Sequence, residues 1–210
     1  MDSNQLPAAA LQRAQVLLAV GGRRVLGIAA PPGAGKSTLA GQLLQALGPQ
    51  AQVVPMDGFH LANSELQRLG HAGRKGAQDT FDASGYVHLL LRIRNQQPGE
   101  TTYAPEFRRE LEEGIAGAIA VHSDIRLIIT EGNYLLLDNA PWDAVRGLLD
   151  EAWYVELGDT ERQRRLLERH IRFGRERADA LNWIAVTDEP NARLVAASKH
   201  RADWVIEQAN

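Results

Sequence analysis

The feature that most constrains this chain is a glycine-containing turn between an apolar run and a helical pattern. The apolar run is Val25-Leu26-Gly27-Ile28-Ala29, and the turn continues as Ala30-Pro31-Pro32-Gly33-Ala34-Gly35-Lys36-Ser37-Thr38. The order of strand, turn and helix, with lysine and a hydroxyl residue at the helix start, is typical of a loop that binds nucleoside triphosphate phosphates. In such a loop, backbone N–H groups turn toward phosphate oxygens, the lysine reaches the terminal phosphates, and the hydroxyl can ligate Mg²⁺. The predicted nucleotide-binding residues are Gly33, Ala34, Gly35, Lys36, Ser37 and Thr38, with Ser37 also a predicted metal ligand.

One position departs from the usual pattern G-x-x-x-x-G-K-[ST]. Ala30 occupies the place of the first glycine, so this position is expected to adopt a backbone conformation that a Cβ tolerates. Gly33 and Gly35 retain the conformational freedom that the loop needs most. The alternative is a turn rich in glycine and proline that binds no ligand, and the order of strand, turn and helix favours the phosphate loop over it.

Beyond the loop, apolar β-rich runs alternate with helical patterns. This alternation predicts an α/β fold in which βα units form a mostly parallel sheet. The predicted strands cover residues 25–29, 53–56, 127–130, 152–157 and 203–206. A chain of 210 residues with 44% hydrophobic content can bury one sizeable core, so we predict one domain over residues 1–210.

Composition excludes several function classes. The net charge of −3 provides no basic surface for a nucleic-acid partner, and the lack of cysteine removes disulfides and thiolate sites. No apolar run approaches membrane-spanning length, and the polar start Met1-Asp2-Ser3-Asn4-Gln5 lacks the basic region of a signal peptide. We therefore expect a cytoplasmic protein with neither a membrane nor a nucleic-acid partner.

Three predicted strands end on residues suited to chemistry. The first ends at the phosphate loop, the second at Met56-Asp57-Gly58-Phe59-His60, and the third at Glu131-Gly132-Asn133-Tyr134. Ligands bind at the carboxyl ends of strands in open parallel sheets, so we expect Lys36, Asp57 and Glu131 to converge. Glu131 after an aliphatic run suits a magnesium ligand, the alternative being an ordinary carboxylate at a strand end.

Asp57 carries the most specific hypothesis. Phosphoryl transfer to a hydroxyl needs a carboxylate that can receive the acceptor's proton, and Asp57 follows the second strand, where such a base is expected. The alternative is a turn residue, because Asp-Gly is common in turns. His60 either contacts the acceptor or supports the loop, and the two interpretations remain equally open.

These motifs together resemble a known family. The motifs are the phosphate loop, Met56 to His60, the segment Arg74-Lys75-Gly76-Ala77-Gln78-Asp79-Thr80-Phe81-Asp82, Tyr103-Ala104-Pro105 and Thr130 to Leu137. Together they are similar to the phosphoribulokinase, uridine kinase and bacterial pantothenate kinase superfamily. Within it, the closest similarity is to fructose-transport-system kinases and nucleoside/nucleotide kinases. The resemblance implies a three-layer P-loop NTPase fold with a five-stranded sheet and a helical lid and acceptor insertion. It implies an ATP- and Mg²⁺-dependent kinase with a small-molecule hydroxyl acceptor. Lys36 matches the family's phosphate-binding lysine and Asp57 its proposed base, whereas pantothenate itself is not implied.

Residues 58–125 form the predicted acceptor-side insertion. Within it, Tyr86, Leu89, Leu90 and Ile93 recur at helical spacing after a helix start at 82–84. Long excursions at the ligand end of a sheet usually supply acceptor contacts or covers. The predicted substrate residues are His60, Arg74, Lys75, Tyr103, Asn133 and Tyr134, with Phe107, Arg108 and Arg109 as further candidates. For each aromatic or basic member, the alternative is a surface or packing role.

Residues 159–177 form a predicted arginine-rich lid helix. Four arginines share one face at spacings of three or four residues: Arg162, Arg165, Arg169 and Arg172. Such a face can present guanidinium groups to phosphates, or it can neutralise itself through the pairs Glu161–Arg165 and Glu168–Arg172. By resemblance, Arg169 is the one expected to act in catalysis. Asn191 is expected to cap a helix, the alternative implied by the resemblance being that Asn191 and residues 198–201 contact the nucleotide base. All four tryptophans are expected to be packing residues.

Two function classes stay open from the sequence. The first is a metabolic kinase that transfers the γ-phosphoryl group of ATP to a hydroxyl of a sugar, nucleoside or related metabolite. The second is a regulatory P-loop NTPase without a small-molecule acceptor. Asp57 and the arginine helix favour the first class. The second has less support, because the sequence lacks the Asn-Lys-x-Asp motif that selects guanine nucleotides. The oligomeric state is also left open, a homodimer included.

Overall fold

The structure is a computed structural model that describes residues 6–208. Its strands are β1 (Arg24–Ala29), β2 (Ala51–Val53), β3 (Thr101–Arg108), β4 (Glu113–His122), β5 (Leu127–Gly132), β6 (Glu151–Glu156) and β7 (Trp204–Glu207). Its α-helices are α1 (Ala8–Ala19), α2 (Lys36–Leu47), α3 (Asn63–Arg68), α4 (Ala83–Arg94), α5 (Asp143–Arg146), α6 (Asp159–Arg172), α7 (Arg177–Trp183) and α8 (Glu189–Ala197). A π-helical turn, Ile184–Asp188, joins α7 to α8.

Five strands form one parallel sheet in the order β2-β5-β1-β6-β7. The central strand β1 pairs in parallel with β5 on one side and β6 on the other, with Ala29 opposite Gly132 and Tyr154. Parallel pairing places the carboxyl ends of all five strands at one edge of the sheet. The predicted mostly parallel five-stranded sheet is confirmed.

Helices cover both faces of this sheet because alternate strand residues point to opposite sides. On one face, Val25 and Ile128 join a core with residues of α4, α5 and α8, including Tyr86 and Val145. On the other face, Leu26 and Ile129 pack in a core that includes residues of α1 and α2. The result is the three-layer α/β arrangement that the resemblance implied.

The second strand differs from its prediction. It covers residues 51–53 rather than 53–56, although the N–H of Val54 still donates to the Ile129 carbonyl at 2.9 Å. Pro55 follows and has no N–H to extend the ladder, and Met56–Phe59 then forms a 3₁₀ turn. The prediction of strand at 54–56 was therefore wrong, and Asp57 lies in this short turn immediately after the sheet edge.

Two further elements lie outside the sequence predictions. Helix α1 packs beside α2, and the antiparallel hairpin β3–β4 forms a separate two-stranded sheet. The hairpin carries an irregular register between Ala104 and Glu106, so its two strands do not show a simple alternating pattern. The hairpin contacts the 3₁₀ turn at Gly58, where an added Cβ would lie 2.4 Å from the Pro105 carbonyl oxygen.

Two predicted helices are present, and one of them ends earlier than predicted. Helix α4 begins after Asp82, whose carboxylate accepts a hydrogen bond from the Gly85 N–H at 2.8 Å. The arginine-rich helix α6 ends at Arg172, earlier than the predicted residue 177, because Gly174 adopts a positive φ of 91°.

Within residues 6–208, no helix is both long and apolar enough to cross a membrane. The polar segment Met1 to Gln5, used above for the signal-peptide argument, lies outside the described residues.

Candidate active site

The phosphate loop connects the end of β1 to the start of α2. Gly33 and Gly35 adopt positive φ values of 84° and 90°, the left-handed conformation that favours glycine. A Cβ at Gly33 would lie 2.8 Å from the backbone oxygen of Arg162, so the loop is also closed against α6. Ala30 is fully buried, and Glu112 is the one non-glycine residue with positive φ in the described chain. Ala30 therefore has the Cβ-compatible conformation that the sequence predicts.

Lys36, Asp57 and Glu131 lie close together at the carboxyl edge of the sheet. Lys36 is the first residue of α2 and only 8% of its surface is exposed. Burial lowers the pKa of Lys36, while the nearby carboxylates of Glu131 and Asp57 act in the opposite direction. The predicted convergence of these three groups is what the fold produces, because each follows or begins at the same sheet edge.

Glu131 is suited to a metal ion that is itself bound to phosphate. It is 4% exposed, burial raises its pKa, and its Oε2 atom has no hydrogen-bond partner. Its carboxylate also interacts with the Ser37 hydroxyl. Mg²⁺ typically binds through one or two protein oxygens, water and substrate phosphates, so Ser37 and the unpartnered oxygen of Glu131 fit it. Within residues 6–208 no group of three His, Asp or Glu residues could hold a metal ion, so a bound ion would need further ligands from phosphate and water.

Asp57 is surrounded by positive charge. Burial alone would raise the pKa of Asp57, but His60, Lys36, Arg109 and Arg169 lower it below its usual value. The nearest guanidinium nitrogen, Nη2 of Arg109, lies 3.6 Å from Asp57 Oδ2, beyond hydrogen-bond distance. The Asp57 side chain is 23% exposed, so an acceptor can reach it.

His60 packs between two aromatic rings. Its ring centroid lies 4.0 Å from that of Phe81 and 4.5 Å from that of Phe107, and Nδ1 lies 2.7 Å from the carbonyl oxygen of Asp57. This burial lowers the pKa of His60, with Asp57 opposing the shift. His60 thus supports the Asp57 turn, and it also lines the adjacent cavity, where a contact with the acceptor stays a prediction.

Lys36, Asp57 and His60 face a cavity of about 480 Å³. It extends from the phosphate loop to the hairpin and to the turn between α7 and α8. Its lining combines aromatic rings with both signs of charge and includes Lys36, Ser37, Asp57, His60, Asn63, Lys75, Phe81, Phe107, Arg109, Glu112, Asn133, Arg169, His170, Phe173, Arg175, Trp183, Thr187, Asp188 and Asn191. A concave site with aromatic rings and many convergent charged groups suits a small polar or charged molecule.

The predicted substrate residues divide into two groups. His60, Lys75 and Asn133 line the cavity, and the buried Oδ1 of Asn133 has no hydrogen-bond partner. Tyr134 is buried beneath the cavity, where its hydroxyl donates to the Gly76 carbonyl and fixes the segment that carries Lys75.

Two other predicted substrate residues stay outside the cavity lining. Arg74 points into solvent and binds Asp79 through two contacts of 2.5 Å. Tyr103 is 58% exposed on the hairpin. Of the further candidates, Phe107 and Arg109 line the cavity. Arg108 is exposed and pairs with Glu106 at 2.6 Å.

The arginines of α6 have different environments despite their shared face. Arg162 is buried and binds Glu189 at 2.6 Å, and Arg165 binds Glu161 at 2.8 Å. Arg169 lines the cavity, where burial and then the charge of Arg109 lower its pKa. Arg172 is exposed at the end of the helix, and Glu168 pairs with Arg164 instead of with Arg172. One arginine of the face therefore reaches the cavity.

Sequence reasoning missed the wall formed by the turn between α7 and α8. Trp183, expected to be a packing residue, lines the cavity with the Arg175 guanidinium 3.9 Å above its ring. Asn191, expected as a cap, lies inside α8 and donates to the Gly76 carbonyl at 3.3 Å. The π-helical turn changes which residues face inward, and a helical pattern with regular spacing does not reveal such a turn.

Comparisons with known proteins agree with this geometry. The profile of the "Phosphoribulokinase / Uridine kinase family" matches residues 25–210. A provisionally named uridine kinase of Schizosaccharomyces pombe is 31% identical over 207 residues, which covers 93% of this chain and 88% of that protein. The uncharacterised protein YggC of Escherichia coli is 33% identical over 190 residues, covering 88% and 78%. A crystal structure of a provisionally named fructose transport system kinase from Silicibacter sp. TM1040 has a TM-score of 0.85 at 35% identity, covering 94% and 98%.

Proposed function

The chain belongs to the phosphoribulokinase and uridine kinase family of ATP-dependent small-molecule kinases, and from this premise we propose that it transfers the γ-phosphoryl group of Mg-ATP to a hydroxyl of a sugar, nucleoside or related metabolite. In this proposal residues 1–210 act as one P-loop kinase domain. Residues 58–125 supply the acceptor side, and the α6 region supplies the lid.

A single juxtaposition carries the proposal. The buried Lys36 of the phosphate loop and the partly exposed Asp57 share one cavity and interact electrostatically. A nucleotide held by the loop would place its terminal phosphate toward Lys36, and Asp57 would face the same point from the acceptor side. An enzyme that only hydrolyses its nucleotide needs no such acceptor cavity.

Asp57 is the proposed general base. The lowered pKa keeps its carboxylate ionised near neutral pH, so it can accept the proton of an acceptor hydroxyl. The acceptor oxygen forms a bond to the γ-phosphorus while the bond from that phosphorus to the β-bridging oxygen breaks. ADP leaves with the electron pair, and the acceptor leaves as a phosphate monoester.

Positive groups around Asp57 stabilise the charge of the transferring group. Lys36 binds the terminal phosphates and Arg169 contacts the phosphoryl group from the lid, a role in which arginines contribute on the order of a thousandfold in rate. Ser37 and Glu131 would hold Mg²⁺, which would supply charge neutralisation for the nucleotide phosphates.

The test measures ADP release with a panel of alcohols and an acceptor-free control. We expect Asp57→Asn to lower acceptor-dependent kcat by roughly 10²–10⁴-fold, the usual contribution of a general base, with ATP affinity nearly unchanged. Lys36→Ala is expected to weaken ATP binding itself. Full transfer activity in the Asp57→Asn variant would refute the assigned base. A wild-type rate that no alcohol raises above the control would favour the regulatory NTPase over the kinase.

A further inference from the structure

The cavity holds more positive charge than its carboxylates balance. Five cationic side chains line it, namely Lys36, Lys75, Arg109, Arg169 and Arg175, against three carboxylates, namely Asp57, Glu112 and Asp188. Asp188 is engaged with His170, whose Nε2 lies 2.8 Å from Asp188 Oδ2. Cations gathered around one cavity repel each other, so the site is best stabilised when an anion fills it.

Lys75 is a cation of this cavity that has no carboxylate in direct contact among the described residues. Within residues 6–208 no carboxylate oxygen lies within 4.0 Å of its Nζ atom, unlike the neighbouring Arg74 with its Asp79 partner. Its Nζ donates instead to two neutral oxygens, Asn63 Oδ1 at 2.6 Å and the main-chain oxygen of Glu112. Burial lowers the pKa of Lys75, and the charges of Glu113 and Glu112 offset this only partly.

A second cation lies near Lys75 on the same aromatic ring. Lys75 Nζ is 5.4 Å from the centroid of Phe107, and the Arg109 guanidinium carbon is 5.9 Å from it. Arg109 has only a 3.6 Å approach to Asp57 and no hydrogen-bonded carboxylate. An ammonium group and a guanidinium group beside one apolar ring match an oxyanion such as a phosphate monoester or a carboxylate.

Lys75 lies on the acceptor side of the cavity, and Arg109 extends from the same hairpin end toward Asp57. Lys75 Nζ binds Asn63 and the hairpin-turn residue Glu112, whereas Lys36 begins α2 at the phosphate loop. The charge of Lys75 also lowers the pKa of His60, which packs on the Phe107 ring. Arg109 lines the same cavity, with its Nη2 atom 3.6 Å from Asp57 Oδ2 and its guanidinium carbon 5.9 Å from the Phe107 ring that Lys75 also approaches.

On the basis of the proposed kinase function, we infer that the acceptor alcohol carries an oxyanion, a phosphate monoester or a carboxylate, that binds between Lys75 and Arg109 beside Phe107. The acceptor hydroxyl then lies at Asp57, and the anionic group extends toward the hairpin turn. A neutral sugar or nucleoside would leave the partly buried Lys75 Nζ atom with only neutral oxygens in contact, so we expect the site to bind it more weakly than an anionic acceptor.

The first test uses inorganic phosphate and acetate as probes of the two oxyanion types. Each is titrated by calorimetry into the full chain saturated with Mg²⁺ and a non-hydrolysable ATP analogue, which occupies the phosphate loop. We expect Lys75→Gln to weaken binding of the preferred anion at least about tenfold, as the loss of a charge-assisted hydrogen bond predicts. Lys75→Arg should retain most of the affinity. Arg68→Gln, which removes an exposed charge that pairs with Glu65 on α3, serves as the matched control.

Equal anion affinity in wild type and Lys75→Gln, or no binding of either anion to the wild type, would overturn the inference. The variants are compared by thermal unfolding so that a folding defect is recognised, and Lys75→Arg retains the charge if the glutamine variant does not fold.

The second test compares kcat/KM for matched alcohols with and without an anionic group, such as a sugar, its monophosphate and its sugar acid. We expect the anionic member to be preferred at least about tenfold, and Lys75→Gln to reduce this preference mainly through KM. Preference for the neutral member would leave the kinase function intact and overturn the anionic acceptor. If no alcohol accepts phosphate and ATP is only hydrolysed, both the kinase proposal and the inference that rests on it fail.

Discussion

Replacing Gly33 by alanine tests how the phosphate loop depends on its backbone. Gly33 has a φ of 84°, a conformation that costs a non-glycine residue about 1–3 kcal/mol. The new Cβ would also lie 2.8 Å from the Arg162 backbone oxygen and 2.7 Å from Leu166 Cγ. The side chain of Leu166 can move, but the backbone of α6 cannot move without loss of its packing on the loop. The total cost therefore exceeds the conformational cost alone.

This free-energy cost is expected to lower either the stability of the variant or its affinity for ATP. If the loop keeps its shape, the variant loses stability, and about 2–4 °C of Tm per kcal/mol is expected for a chain of this size. If the loop relaxes instead, ATP affinity falls, at tenfold for each 1.4 kcal/mol or about 5–150-fold for the conformational cost. Thermal unfolding and ATP titration of the same preparation measure the stability and the ATP affinity together.

Gly41→Ala is the matched control on α2. An added Cβ at Gly41 meets no atom within 4 Å, and its φ is not positive, so alanine should stabilise the helix by about 1 kcal/mol. We expect this variant to raise Tm with ATP affinity unchanged. Wild-type Tm together with wild-type ATP affinity in Gly33→Ala would refute the account of the loop.

Three further predictions concern single side chains. Glu131→Gln should raise the Mg²⁺ concentration for half-maximal activity roughly 10–100-fold, and an unchanged Mg²⁺ dependence would exclude Glu131 from the metal site. Burial lowers the pKa of His60 below its usual 6.5. Between the lowered pKa and 6.5, the unfolded chain therefore binds a proton at His60 that the folded chain does not. The free energy of unfolding should fall as the pH decreases from 6.5 through the lowered pKa. Urea titrations at several pH values should show a shallower dependence for His60→Gln, and an identical dependence would contradict the shift. Tyr86→Phe removes the 2.6 Å hydrogen bond between the Tyr86 hydroxyl and Thr130 and should cost about 0.5–1.5 kcal/mol, measured as a lower Tm; an unchanged Tm would show that this bond adds no net stability.

The sequence predicts the parts of the site that depend on local chemistry. The phosphate loop is recognisable because a strand, two glycines, Lys36 and a hydroxyl residue are consecutive. Asp57 and Glu131 are predictable because parallel strands end at one sheet edge, which brings distant segments together. Side-chain packing does not have to be known to predict the phosphate loop, Asp57 or Glu131.

The rest of the cavity depends on tertiary contacts that a single sequence does not encode locally. Arg74 and Lys75 are adjacent in sequence, yet Arg74 pairs with Asp79 and Lys75 faces the cavity. Arg162 and Arg169 belong to one helix face, yet Glu189 of α8 captures Arg162 alone. Partners of this kind are set by the packing of whole elements, and the residues that compete for each charge are far apart in the chain.

The central claim is that Lys36 and Asp57 serve opposite sides of one phosphoryl transfer. The most direct measurement incubates the protein with ATP labelled at the γ-phosphate and with matched anionic and neutral alcohols, then follows the label into organic phosphate or free phosphate. The account predicts label in a phosphate ester for the wild type, and transfer slowed by about 10²–10⁴-fold in Asp57→Asn. Label found only as free phosphate, at one rate with or without every alcohol, would contradict it.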